Sequence, residues 1–188
     1  GSAGSLTTWT FSFWFKRGAI TTGTNMYLYG ARQDANNFAQ QSINNSTEVM
    51  ELYVVEAGSE KGDINPGGAF RDPAAWHHYV LTWDTTNVTE ADRARFYFNG
   101  ERVTVFGSNE SYPDASGESV INDAVEFLIG CRKNPTSGSV EHFYDGYLAE
   151  AYFIDGTAYA ASDFGETNAA TNQWIPIDSE TVVDAVTF

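Results

Sequence analysis

Residues 70–107, FRDPAAWHHYVLTWDTTNVTEADRARFYFNGERVTVFG, constrain the fold more than any other part of the chain. Two segments of alternating apolar and polar residues, Trp76–Asp84 and Arg93–Phe98, flank a polar loop, and the second runs into Asn99-Gly100. A period of two sends successive side chains to opposite faces of a pleated strand. Asn-Gly readily adopts the positive φ angles of a tight hairpin turn. A hairpin is therefore expected, with Arg102–Phe106 as its returning arm, and the chain reads as a β-sheet protein. No nucleophile elbow, phosphate loop or metal-ligand spacing interrupts the stretch, which points to a binding scaffold.

The composition agrees. The 13 Phe, 10 Tyr, 5 Trp and 17 Gly among 188 residues favour strands and turns over helices, and the length suits one domain with a full core. Residues 1–5, GSAGS, read as a linker or cloning remnant, and residues 6–188 as a single domain. Acidic residues outnumber basic ones 25 to 10, giving a formal charge of −15. That balance argues against binding nucleic acid or inserting into an anionic membrane, since phosphate contacts need cationic side chains. Cys131 is the only cysteine. It cannot form an internal disulfide, and within the apolar run FLIGC it reads as an inert packed thiol.

Strands are expected at Thr8–Lys16, Asn25–Ala31, Asn37–Ile43, Glu48–Glu56, Glu126–Cys131 and Phe143–Ile154. In the first, Trp9, Phe11, Phe13 and Phe15 share a core face, while Trp14 on the other face implies that this second face is partly covered. Residues Ala57–Phe70 and Gly107–Asp123 read as long loops, Ser162–Gly165 as one helical turn, and Val182–Phe188 as a closing strand beside the first. Ten to twelve strands would fill two stacked antiparallel sheets.

Catalytic patterns find little support. Glycoside hydrolysis needs two facing carboxylates, yet Glu48 and Glu51 are three apart on one strand and Glu150 and Asp155 five apart, so each pair points to opposite faces. The adjacent His77 and His78 likewise diverge and cannot chelate one metal. Asp84 and Asp145 are strand-edge acids of the type that hold calcium in sandwich proteins, which makes calcium the candidate cofactor. The loop Ser108–Asp114 combines amides, acids and an aromatic as a sugar site does, making Asn109, Tyr112 and Asp114 the candidate ligand-binding residues.

The runs WHHYVLTWD and RFYFNGERV resemble the core of laminin-G-like, concanavalin A-like jelly-roll domains. FRDPAAWHHYVLTWDTTNVTEADRARFYFNG together with YDGYLAEAYFIDGTAYAASDFGETNAATNQWIP is similar to domains of marine bacteriophage tail and virion proteins. The resemblance spans about Thr10 to Pro176. Where the wider superfamily usually has Gly-x-Ile-Asp-Glu-Val, this chain has Gly146-Tyr147-Leu148-Ala149-Glu150-Ala151. The superfamily's aspartate is therefore replaced by Ala149, and no ligand residue carries over. The resemblance implies an all-β jelly roll in a virion or extracellular setting. It also implies a non-catalytic role in binding a host-surface glycan or other virion proteins, in the homotrimeric form expected of fibre proteins. A secreted bacterial carbohydrate-binding module or an inactive glucanase relative is the alternative.

Overall fold

The computed structural model describes residues 2–20 and 23–186. Two antiparallel sheets stack as a sandwich, as the alternation predicts. One has five strands in the order β13 (Gly146–Asp155), β1 (Thr8–Arg17), β6 (His77–Asp84), β7 (Ala94–Phe98), β8 (Glu101–Arg102). The other has six, in the order β10 (Phe127–Ile129), β2 (Met26–Asp34), β3 (Asn37–Ile43), β4 (Met50–Glu56), β5 (Ser59–Pro66), β9 (Phe106–Ser111). Two short ribbons, β11 (Arg132–Lys133) with β12 (Val140–Glu141) and β14 (Gly165–Thr167) with β15 (Trp174–Pro176), complete the set.

The core between the sheets is made by the alternate residues of β1, Trp9, Phe11, Phe13 and Phe15, with Tyr79, Leu81 and Trp83 of β6 and Tyr29, Leu52, Val54 and Ile64 opposite. Aromatic rings meet at offset and edge-on angles, as in Phe11 against Tyr29 at 5.1 Å and 82°. One polar tie crosses this core: the hydroxyls of Tyr29 and Tyr79 donate to Gln41 Oε1 at 3.3 and 2.6 Å. Burial raises both tyrosine pKa values, so each hydroxyl stays protonated and able to donate. At one end Arg17 is 1 % exposed, ion-paired to Glu48 and bonded to the carbonyls of Phe70 and Ile20.

Three expectations need correction. Residues 57–70 are not a loop throughout, because β5 pairs with β4 across Ala57-Gly58, whose φ angles of 49° and 72° make a hairpin turn without the usual Asn-Gly signal. The segment after Arg102 leaves the hairpin and joins the other sheet as edge strand β9, against β5. The expected closing strand is a helix, α1 (Ser179–Ala185), whose N-cap Asp178 accepts from Glu180 N at 2.9 Å. Val182 lies on its buried side and Val183 is exposed, while Val186, the extended C-cap, is buried just beyond its end. The last two residues of the expected strand, 187 and 188, lie outside the described residues.

Residues 156–186 form a strap over the outer face of the five-stranded sheet. Here Val80, Ile154, Ala161, Phe164, Val182 and Val186 make a second apolar cluster. Buried threonines clamp the strap: Thr10 Oγ1 donates to Thr157 O and accepts from Tyr159 N, and Thr82 Oγ1 donates to Tyr159 O. The strap explains why Trp14, on the second face of β1, is only 7 % exposed. Asn99-Gly100 turns the β7–β8 hairpin with φ angles of 46° and 87°. A Cβ on Gly100 would lie 2.6 Å from the Trp174 ring, so this glycine serves both the turn and the packing of the strap. At the other terminus Gly4 and Ser5 are tied in, with Ser5 N donating to Asp155 Oδ1 at 2.7 Å and Gly4 N to Asn122 O at 2.9 Å.

Candidate functional site

The outer face of the six-stranded sheet is covered on its β2 side, where Arg132 and His142 pack against Tyr27, and is open over β3, β4 and β5. Its residues are those that alternation turns away from the core, and the register aligns them in rungs. Tyr27 pairs with Ser42 and Ser42 with Glu51; two residues along, Gln40 pairs with Tyr53 and Tyr53 with Asp63. Strands about 4.8 Å apart and rungs about 7 Å apart make a grid about 14 Å long across four strands, wide enough for one or two sugar rings. Together with Asn25 and Asn65 these side chains line a shallow cleft of about 270 Å³.

At its surface the cleft offers the Gln40 amide, the carboxylates of Glu51 and Asp63 and the Tyr53 phenol, while Tyr27, Ser42 and Asn65 form its buried floor. Glu51 is held by Asn44 Nδ2 at 3.0 Å, and its pKa is raised, by burial first and also by the nearby Asp63. These two acids sit diagonally across β4 and β5, about 7–8 Å apart at Cα. A search along single strands misses this pair, since only the sheet brings it together. The Tyr53 ring lies 5.9 Å from that of Phe38, and burial raises its pKa. At the rim Arg132 lies 4.3 Å from the Tyr27 ring centroid, donates to Gln40 Oε1 at 2.9 Å and pairs with Glu141 at 2.8 Å. Its charge is therefore already balanced.

The residues singled out in the sequence lie elsewhere. Asn109 falls in the backbone of edge strand β9. Tyr112 packs edge-on against Phe106 at 6.1 Å and donates to Glu110 at 3.0 Å; burial, then Glu110, pushes its pKa up to about 12. Asp114 pairs with Lys61 at 2.7 Å, which holds its carboxyl below the ordinary value. Asp84 accepts from Thr86 Oγ1 at 2.6 Å and stands beside Thr8 at the start of β1, whereas Asp145 precedes Gly146, which pairs with Arg17 at its end. Nine residues of strand, about 30 Å, separate these two acids, so one ion cannot take both. Among the described residues no group of three or more His, Cys, Asp or Glu side chains is placed to hold a metal.

His77 and His78 do face opposite ways, but both are packed. His77 lies among Phe15, Phe70 and Phe98. His78 is 1 % exposed, stacked on Trp14 with Trp174 at its edge. Trp174 Nε1 donates to His78 Nδ1 at 3.0 Å, which leaves Nε2 to carry the proton toward Ser12 Oγ at 2.9 Å. Desolvation brings the His78 pKa down to about 4.

Comparison with known proteins places this geometry. The Laminin_G_3 model, described as the concanavalin A-like lectin/glucanases superfamily, matches residues 2–162. No curated protein matches the chain in sequence. Among solved structures it is similar to the Ruminococcus gnavus IT-sialidase CBM40 bound to α2,3 sialyllactose, with 14% identity and a TM-score of 0.58 over 85% of this chain and 81% of that one. It is similar to domain 4 of the extracellular arabinanase AbnA from Geobacillus stearothermophilus in complex with arabinotriose, with 14% identity and a TM-score of 0.52 over 82% and 64%. A native heptameric SAP-like pentraxin from Limulus polyphemus matches at 17% identity and 0.53 over 83% and 68%. At such identities the likeness bears on fold alone, a concanavalin A-like sandwich.

Proposed function

This chain belongs to the concanavalin A-like lectin/glucanase superfamily, and we propose that it is a non-catalytic glycan-binding domain whose site is the open polar face of the six-stranded sheet. One observation carries the reading: Gln40, Glu51, Tyr53 and Asp63 set one phenol ring and several hydroxyl-bonding groups at the solvent boundary of this face, over a floor made by Tyr27 and Ser42, which are 5 and 4 % exposed. Aromatic faces pack against the C–H faces of sugars while amides and carboxylates take the hydroxyls. Glu51 and Asp63 would repel a carboxylated sugar, and Arg132, already paired with Glu141, does not offset them. The site therefore prefers neutral glycans to sialylated ones.

For the setting, the sequence resemblance supports a bacteriophage virion, with the domain shown on a tail fibre, spike or capsid surface to a host glycan. Several copies, as in a homotrimer, would turn weak single-site affinity into useful avidity. A secreted bacterial carbohydrate-binding module is the second reading, favoured by the likeness to the CBM40 and AbnA domains.

A glycan array probed with an oligomeric form tests the function. Binding to neutral oligosaccharides, lost in Tyr53→Ala and Gln40→Ala, is expected. Silence on neutral glycans overturns the binding reading, and release of sugar from β-glucan that Glu51→Gln abolishes overturns its non-catalytic part.

A further inference from the structure

The covered sheet has a feature of its own. At the edge of the strap, Trp14, Trp76, Trp174, Glu150, Ile175 and Pro176 line a cleft of about 340 Å³. It lies on the opposite side of the sandwich from the polar grid, because Trp14 pairs with His78 and Ala149 on the outer face of the five-stranded sheet. Trp14 is held in place by stacking on His78 at 5.0 Å, and Trp174 by its hydrogen bond to His78 Nδ1 at 3.0 Å. Trp76 is 42 % exposed, and beside it, at 6.4 Å, the Tyr147 ring is 63 % exposed. Large aromatic side chains left in water at one place need a reason beyond folding.

The backbone supplies a second observation. The β1–β13 register shifts between Ser12 and Trp14, and Glu150 sits in that bulge with a φ of 47°, a left-handed conformation that a glutamate adopts at a cost. The bulge brings a carboxylate to the tryptophan cleft, where Tyr152 donates a hydrogen bond to it. Glu150 is the only ionisable residue of the lining, and no Lys or Arg lines the cleft. The Trp14 Nε1 is also buried without a hydrogen-bond partner.

We propose that this cleft is a second ligand site, for a small organic cation of the quaternary-ammonium class. Indole faces attract a cation within about 6 Å of the ring, and methyl groups on nitrogen spread that charge over a surface that packs as an apolar one. Glu150 supplies the counter-charge. An anion is repelled by Glu150, and an uncharged apolar group leaves its carboxylate unused. A sugar finds one carboxylate here where the polar grid offers Gln40, Glu51, Tyr53 and Asp63 together.

The test uses the intact chain with choline and its neutral carbon isostere, in which a quaternary carbon replaces the nitrogen, followed by tryptophan fluorescence and amide chemical shifts. Choline is expected to bind with a dissociation constant on the order of 1 mM and to shift amides around Trp76 and Glu150, with the isostere at least roughly fivefold weaker. Glu150→Gln should erase the difference between the two probes, and Trp76→Ala should weaken both, each with an unchanged melting temperature. Equal affinity for the two probes, no binding of either, or a choline preference that survives Glu150→Gln overturns the proposal.

Discussion

The two sheets share one core but differ on their outer faces. On the five-stranded sheet Thr10, Ser12, His78 and Thr82 are 0–1 % exposed, because the strap of residues 156–186 lies over them. On the six-stranded sheet Gln40, Glu51, Tyr53 and Asp63, which occupy equivalent outward positions, meet solvent. On the covered face Thr10 and Thr82 turn their hydroxyls to the strap's backbone, whereas on the open face Gln40, Glu51, Tyr53 and Asp63 stand at the solvent boundary, Glu51 bonded to Asn44 and Gln40 to Arg132. Polar residues at outward strand positions thus mean opposite things on the two sheets, and coverage decides which.

The largest test of this contrast removes a strap anchor. Phe164 is 1 % exposed against Tyr152 and Tyr159. Phe164→Ala is expected to lower unfolding stability by about 3–5 kcal/mol, read by chemical denaturation. Almost as large is the pH response of His78. Its folded pKa of about 4 lies below the ordinary 6.5, so between these values the unfolded chain takes up a proton that the folded chain refuses. Stability contributed by neutral His78 is complete above pH 6.5 and falls as pH drops toward 4, by roughly 3 kcal/mol. Trp174 adds a geometric reason, since its N–H needs an unprotonated Nδ1. His78→Gln should flatten this slope in denaturation curves taken across pH 4–7.

Gly100→Ala strains a positive-φ turn and pushes a methyl into Trp174. A loss of about 1–3 kcal/mol is expected, with a change in Trp174 fluorescence that a purely local turn defect would not produce. The smallest stability effect belongs to the open face. Tyr53→Ala should cost less than about 1 kcal/mol of stability, while weakening glycan binding about tenfold by titration calorimetry. A stability loss as large as that of Phe164→Ala would mean that the open face is structural too.

Much of this was legible from local pattern. The core residues of β1 and β6 follow from period two, and the Asn99-Gly100 turn from its dipeptide. The covering of Trp14 was also readable, as an apolar side chain on an otherwise polar face. Strand β5 was hidden, because Ser59-Glu-Lys-Gly-Asp63 is polar and its turn is Ala-Gly. The helix α1 was hidden because three valines in a short segment suit a strand as well as a helix. Its N-cap, Asp178, gave the available signal. The candidate ligand loop drew attention for its composition, yet Tyr112 and Asp114 have partners within the chain, while the grid is spread over four strands, each contributing one or two unremarkable polar residues.

By itself the sequence determined the fold class and the inward faces, because the period of side-chain direction is a local property of the strand. Only the tertiary structure decided which outward face is covered, and that Glu51 meets Asp63 and Glu150 meets three tryptophans. Those juxtapositions depend on strand order, on register and on the path of the strap, and none of these is encoded in any one segment.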